Sequence, residues 1–267
     1  MTALLVPPVD PGLLSRALEV GGRLANDAAE VIAATSTRGC RLDSTARAHP
    51  FDWVTDTGHT LERHSRRVLA AEFPDIPVVG AEYHDVPAQT RYRWLVAPLD
   101  GIHNYLSGFP WFGYGLALLD AGGPVVGVIS DPSRAEIYAA ARGRGTRVNG
   151  VPVRITDGVR PPGFPVCLEA ANGHWPAEFI KRAADASCGL RVLGSPALAV
   201  TQVALGHAVG AVLEGYREWE VAAGLALALE AGAVVLDRNG QANPLPADGL
   251  LVAAPSAAAE LLSWWRS

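Results

Sequence analysis

The chain has 267 residues, of which 49% are hydrophobic and 18% are charged, and its formal net charge is -5. This length and composition allow a large apolar core, which excludes a disordered or fibrous protein and suits a compact unit of two lobes. The acidic balance, without clusters of Lys and Arg, argues against nucleic acid as a partner, because backbone phosphates require concentrated positive charge.

The cysteines and the apolar segments exclude further classes of protein. Cys40, Cys167 and Cys188 show no C-x-x-C spacing, so the sequence predicts neither a disulfide framework nor a zinc site. The apolar run near the N-terminus is too short for a signal peptide, and no segment has the unbroken apolar length of a membrane helix. We therefore expect a cytoplasmic protein that makes no membrane contact.

The first half of the chain predicts two helices and then strands joined by hairpins. Asp10 is a capping residue, Pro11 follows it, and apolar residues recur at helical spacing to about Ala34. A second helix is predicted from residue 56 or 57 to the stop at Pro74. Short strand-like runs, bounded by Gly, Pro and Asp turns, cover residues 77–79, 94–96, 114–119, 125–130 and 136–140.

From about residue 160 strands and helices alternate, which favours a layered α/β arrangement. The predicted elements are strand 166–169, helix 175–185, strand 190–193, helix 195–205, strand 209–213, helix 219–231, strand 234–237 and helix 256–265. We therefore divide the chain into an N-terminal α+β half, residues 1–158, and a C-terminal α/β half, residues 159–267.

One stretch runs from an apolar strand into a polar turn, where active-site carboxylates usually lie: Trp94-Leu-Val-Ala-Pro-Leu-Asp-Gly-Ile-His-Asn104. It resembles the inositol monophosphatase family motif W-x-x-D-P-x-D-G-T-x-N. Other family motifs agree in order and spacing, including Asp52-Trp-Val-Thr55, Gly80-Ala-Glu82 and Trp219-Glu-Val-Ala-Ala-Gly224. The resemblance covers most of the chain and implies a layered αβαβα sandwich with the active site between its two halves.

Phosphatases of that family bind two or three Mg²⁺ ions, which activate a water and neutralise the phosphate, and such hard cations need carboxylate ligands. Family side chains are missing at four positions, which hold Gly58, Ala81, Ala97 and Ile102. The two alanines remove both side-chain ligands of the tightest metal site. The resemblance therefore implies a degenerate metal site and no required cofactor, with at most a weak Mg²⁺ at Asp100 and Glu220.

The remaining carboxylates are the candidate acid–base groups. Carboxylates that share a cleft without their cations repel one another, which raises their pKa values and makes them proton donors. Histidines close to the motifs could assist them. The predicted catalytic residues are Glu82, Asp100, His103 and Glu220. As an alternative, Asp100 could serve only its turn, and His103 only as a cap or packing residue.

Further residues are predicted to contact a substrate. Backbone N–H groups at Gly101 and Ile102, at a helix start, could hold an anion. Glu214 resembles the family residue that binds a substrate hydroxyl, although its spacing to Glu220 is one residue shorter than usual. Asn104 and His84 complete the predicted set, and His84 could equally be a surface-loop histidine.

Three functions stay open from the sequence. We favour a repurposed, metal-independent acid–base enzyme that acts on a small polar or anionic metabolite in specialised biosynthesis. A residual phosphomonoesterase for a sugar, cyclitol or inositol phosphate, using one metal, is the second. A non-catalytic ligand-binding pseudoenzyme is the third. The resemblance also implies a homodimer.

Overall fold

The computed structural model describes residues 8–36, 44–46, 53–83, 90–156, 158, 163–170, 175–247 and 249–267. The helices of these residues are α1 (Pro11–Ser36), α2 (Asp56–Glu72), α3 (Ile102–Ser107), α4 (Ala177–Asp185), α5 (Pro196–Ala204), α6 (Glu218–Ala231) and α7 (Pro255–Trp265). The strands of the first half are β1 (Ser44–Ala46), β2 (Trp53–Thr55), β3 (Val78–Gly80), β4 (Arg93–Asp100), β5 (Gly113–Asp120), β6 (Gly123–Asp131), β7 (Glu136–Ala141), β8 (Thr146–Val148) and β9 (Val151–Val153). Those of the second half are β10 (Pro165–Ala170), β11 (Gly189–Arg191), β12 (Gly210–Glu214), β13 (Val234–Leu236) and β14 (Leu250–Ala253).

Two large sheets organise these elements. One has seven strands in the order β3-β4-β5-β6-β7-β8-β9, and the other has five in the order β11-β10-β12-β14-β13. Strand β3 runs parallel to β4, and the other neighbours in the seven-stranded sheet are antiparallel. In the five-stranded sheet β10 is parallel to β11 and β12, whereas β14 is antiparallel to β12 and β13.

Three apolar clusters join the sheets and helices into five layers. An outer cluster packs α1 and α2 on one face of the seven-stranded sheet. A central cluster places α5 and α6 between the two sheets. A third cluster packs α4 and α7 on the far face of the five-stranded sheet. The predicted layered αβαβα sandwich is therefore confirmed.

Several short elements were absent from the sequence prediction. Helix α3 begins at Ile102, where a helix start but no extent was predicted, and β1, β2, β8, β9 and β14 were not predicted. Elements of three to six residues are too short to show a clear periodic pattern. Because β14 is antiparallel, the second half is a mixed sheet rather than a simple parallel one. The division at residue 158 stays a prediction.

No helix among the described residues has the length and apolar character needed to cross a membrane.

Candidate active site

A bulge in β4 sets the direction of Asp100. Ala97 pairs with Gly115 and Asp100 with Gly113, so three steps along β4 oppose two along β5. An extra residue in one strand reverses the alternation of side chains between the faces of a sheet. Leu99 accordingly packs in the outer cluster, and Asp100 turns towards the first turn of α5.

Asp100 is buried, with 5% of its surface exposed. Its Oδ2 accepts hydrogen bonds from the Ser195 hydroxyl and from the Ala197 backbone N–H, the latter at 3.2 Å. Burial raises the pKa of Asp100 to about 8, the negative charges of Glu220 and Glu169 add to the rise, and the two hydrogen bonds oppose it. The carboxyl group is therefore mostly protonated at neutral pH.

Glu169, at the end of β10, is a second buried carboxyl group that the sequence prediction missed. It accepts hydrogen bonds from the backbone N–H groups of Leu193 at 2.8 Å and Gly194 at 3.1 Å. Burial raises the pKa of Glu169 to about 7, although the backbone N–H groups of residues 193–195 lower it. The available signal was a carboxylate that ends an apolar strand.

Asn104 holds the opposite side of the turn formed by residues 193–195. Its Nδ2 donates to the carbonyl oxygens of Trp111 and Leu193, each at 2.7 Å. Backbone carbonyl groups accept both amide hydrogens of Asn104, and its predicted substrate contact stays a prediction. This side chain joins α3 to the turn between β11 and α5.

Glu220 lies in the first turn of α6 and caps it through the backbone of Arg217. One of its carboxylate oxygens accepts the Arg217 backbone N–H at 2.8 Å. The charge of Glu220 also raises the pKa of Asp100. The structure therefore places Glu220 close enough to Asp100 for its charge to act there, and Glu220 also stabilises the start of α6.

Glu82 contacts the start of α2. Its Oε2 lies 3.9 Å from His59 Nε2, and a Cβ atom at Gly58 would lie 3.1 Å from its Oε1. The charges of Glu220 and Glu169 raise the pKa of Asp100. The predicted trio of Glu82, Asp100 and Glu220 stays a prediction, and Glu169 is a further carboxyl group whose charge acts on Asp100.

The loop that carries Ala81 is held firmly although its ligand side chain is missing. The buried Glu62 accepts the backbone N–H groups of Glu82 at 2.7 Å and Tyr83 at 3.2 Å. It also pairs with Arg66 at 2.9 Å. The backbone of this loop is thus held by contacts within the protein.

The residues present do not fit a pair of Mg²⁺ ions. Across the part of the chain that the structure describes, no group of three or more His, Cys, Asp or Glu side chains could share a metal ion. Ala97 has 2% of its surface exposed and brings no ligand.

The other predicted residues occupy different surroundings. Gly101 has a left-handed φ of 75° and precedes α3, a helix of six residues. Ile102 packs against the outer apolar cluster. His103 is exposed, and its carbonyl oxygen accepts the Ser107 hydroxyl at 2.5 Å. Roles for Gly101, Ile102 and His103 in the reaction stay predictions, and His84 lies outside the described residues.

Glu214 requires a correction, because its side chain faces away from Asp100. Successive side chains of a strand alternate between faces, and the preceding residue of β12, Leu213, packs in the central cluster. Glu214 therefore turns to the face covered by α4 and α7, where it pairs with Arg238 and accepts the Trp265 indole N–H at 2.6 Å.

Solved structures define the class of this fold. The suhB protein of Bartonella henselae gives a TM-score of 0.84 at 24% identity, over 94% of this chain and 98% of that one. An IMPase/NADP phosphatase complexed with Mg²⁺ and phosphate gives a TM-score of 0.82 at 19% identity, over 94% of this chain and 95% of that one. The chain therefore has the inositol monophosphatase fold.

Sequence comparisons define the family. The model of the inositol monophosphatase family matches residues 14–264. Nus factor SuhB of Pasteurella multocida is 30% identical, over 92% of this chain and 94% of that protein. Inositol-1-monophosphatase of Mesorhizobium japonicum is 37% identical, over 72% of this chain and 74% of that protein. This chain belongs to the inositol monophosphatase family.

Proposed function

We propose that this family member has lost ordinary Mg²⁺-dependent phosphatase activity and catalyses proton transfer on a small polar or anionic metabolite. The protonated Asp100 carboxyl is the proton donor, and Glu220 is the second acid–base group of the cleft. Raised carboxyl pKa values are a common device of general acid catalysis near neutral pH. No step of this proposal passes through a metal ion.

The environment of Asp100 carries the proposal. This carboxyl is buried, and the nearby charges of Glu220 and Glu169 add to the cost of ionising it. In a phosphatase of this family, cations bound to carboxylates would offset such repulsion and supply an activated water. With alanines at positions 81 and 97, a proton on Asp100 relieves the repulsion instead.

Two other functions have specific support. The name of the Mesorhizobium japonicum relative, inositol-1-monophosphatase, and the Mg²⁺ and phosphate of the solved IMPase/NADP phosphatase favour a residual phosphatase. In that case Asp100 and Glu220 would hold a single ion. The Pasteurella multocida relative is named as a Nus factor rather than for an enzyme activity, which favours a non-catalytic protein.

Restoring the missing ligands tests the proposal. The double variant Ala81→Glu/Ala97→Asp places carboxylates on a loop held by Glu62 and on the inner face of β4. We expect the wild-type protein to release no phosphate from generic phosphomonoesters in the presence of Mg²⁺. The double variant should bind Mg²⁺ in calorimetry and gain phosphatase turnover.

A matched control separates the ligand set from the added charge. Ala121→Asp/Ala184→Glu adds the same side chains at exposed positions and should leave both measurements at the wild-type level. Mg²⁺-stimulated turnover by the wild-type protein, lost in Asp100→Asn, would refute the proposal in favour of the residual phosphatase. Unchanged metabolites in cells that carry either Asp100→Asn or Glu220→Gln would favour the non-catalytic protein.

A further inference from the structure

The turn formed by residues 193–195 connects two carboxyl groups that come from different halves of the chain. Glu169 approaches it from β10 and accepts the N–H groups of Leu193 and Gly194. Asp100 approaches it from β4 and accepts the Ser195 hydroxyl and the Ala197 N–H. The two carboxyl groups therefore bind to neighbouring residues of one short backbone segment.

The geometry points to Glu169 as a positioning residue for Asp100: it fixes the turn at residues 193–195, and the turn presents the Ser195 hydroxyl to the Asp100 carboxyl. This inference rests on the proposed role of Asp100 in proton transfer. Glu169 acts through the turn and needs no contact with the substrate. It gives the cleft a support that neither the family motifs nor the remaining ligand positions contain.

The turn is held tightly enough that a shift at Glu169 also shifts Ser195. Gly194 has a left-handed φ of 70°, and a Cβ atom there would lie 3.1 Å from Asn104 Nδ2. Glu169 accepts hydrogen bonds from N–H groups of the turn, and the Asn104 side-chain amide donates one to the Leu193 carbonyl oxygen. Because both sides of the peptide groups are bound, a displacement on the Glu169 side moves the residues that follow.

Ser195 links the turn to the reacting group. It is fully buried and caps α5, since its hydroxyl oxygen accepts the Leu198 N–H at 3.3 Å. The same hydroxyl donates to Asp100. A hydroxyl group supplies a single hydrogen, so its direction depends on where the turn places the Ser195 backbone.

Hydrogen exchange of the Ala197 amide tests the inference, because this N–H bonds directly to Asp100. Glu169→Asp keeps the charge but shortens the reach by one methylene group. We expect it to accelerate exchange at Ala197 about five-fold, the factor for one ordinary hydrogen bond. The Ser195→Ala variant lacks the hydroxyl that links the turn to Asp100, so adding Glu169→Asp there should change exchange at Ala197 little.

Glu230 provides the control, since it also accepts two backbone N–H groups, those of Gly143 and Gly145, each at 2.8 Å. Glu230→Asp should speed exchange at Gly143 and Gly145 and leave Ala197 unchanged. If Glu169→Asp does not fold, Glu169→Met keeps a similar length, removes the acceptor oxygens and gives the same comparison. The inference would be overturned if the Glu169 substitution left exchange at the Ala197 amide unchanged. It would also be overturned if the substitution accelerated that exchange equally in the wild-type and Ser195→Ala backgrounds.

These measurements use the free protein and no substrate. Phosphatase activity in the wild-type protein would overturn the proposed function and leave the exchange result unaffected. If the effect of the Glu169 substitution on Ala197 exchange did not depend on Ser195, the positioning role would be overturned and the proposed function would stay in place.

Discussion

Asp100→Asn should abolish much of the pH dependence of folding stability between pH 5 and pH 7. The folded-state pKa of Asp100 is raised from 3.8 to about 8, so the native protein holds a proton that the unfolded chain releases. Stability therefore falls as pH rises through this window, and the fall ends above pH 8. Asparagine keeps the shape and can accept the same hydrogen bonds through Oδ1.

The linkage relation gives the size of the effect. One extra proton in the native state corresponds to about 1.4 kcal/mol per pH unit. Over two pH units, the free energy of unfolding of Asp100→Asn should rise relative to the wild-type protein by about 3 kcal/mol. Glu169 contributes a change of the same sign up to about pH 7, and the two carboxyl groups titrate in shared steps because their charges interact.

Urea unfolding at pH 5, 6, 7 and 8, followed by the fluorescence of the 7 tryptophans, measures this difference. Asp185→Asn, at an exposed position at the end of α4, is the control and should run parallel to the wild-type curve. Parallel curves for Asp100→Asn would refute the reasoning, because they would mean that Asp100 binds no extra proton in the folded state.

Two further substitutions test the surroundings of the cleft. Gly80→Ala should destabilise the protein by about 1–3 kcal/mol in urea unfolding, because the new Cβ would overlap the Glu62 carboxylate. Its control is Gly22→Ala, which should not destabilise the protein, because a Cβ there has no neighbour within 4 Å. Glu214→Gln removes the charge that pairs with Arg238 and should lower stability without altering exchange at the Ala197 amide. A changed exchange rate of the Ala197 amide in Glu214→Gln would show that Glu214 is coupled to the surroundings of Asp100.

Sequence patterns predict local elements and family motifs well in this chain, and fail where a single residue changes direction. The start of α1 at Pro11 and the start of α2 at Asp56 follow from capping and periodicity. The inner direction of Asp100 depends on a bulge after Ala97, which no spacing rule reveals. Glu214 faces α4 and α7 because it follows Leu213, which packs in the central cluster, and because strand side chains alternate between faces.

The partners of Asp100 are a different difficulty. Ser195 is 95 positions away along the chain, and Glu169 acts on Asp100 only after two sheets have stacked around α5 and α6. The sequence marks Ser195 as a helix cap before Pro196, and marks Glu169 as the polar end of an apolar strand. Neither mark identifies a partner, because packing of the two halves, rather than local propensity, brings these groups together.

The missing ligands and the raised carboxyl pKa are two aspects of one electrostatic change. A divalent cation and a proton compete for the same carboxylate, so a site that loses its cation favours the proton wherever burial prevents water from replacing the charge. In this cleft Asp100 is buried beside Glu169 and Glu220, and the proton is the remaining means of neutralising it. It follows that carboxylates restored at positions 81 and 97 should lower the pKa of Asp100 only when Mg²⁺ is bound, and should raise it further in a chelator.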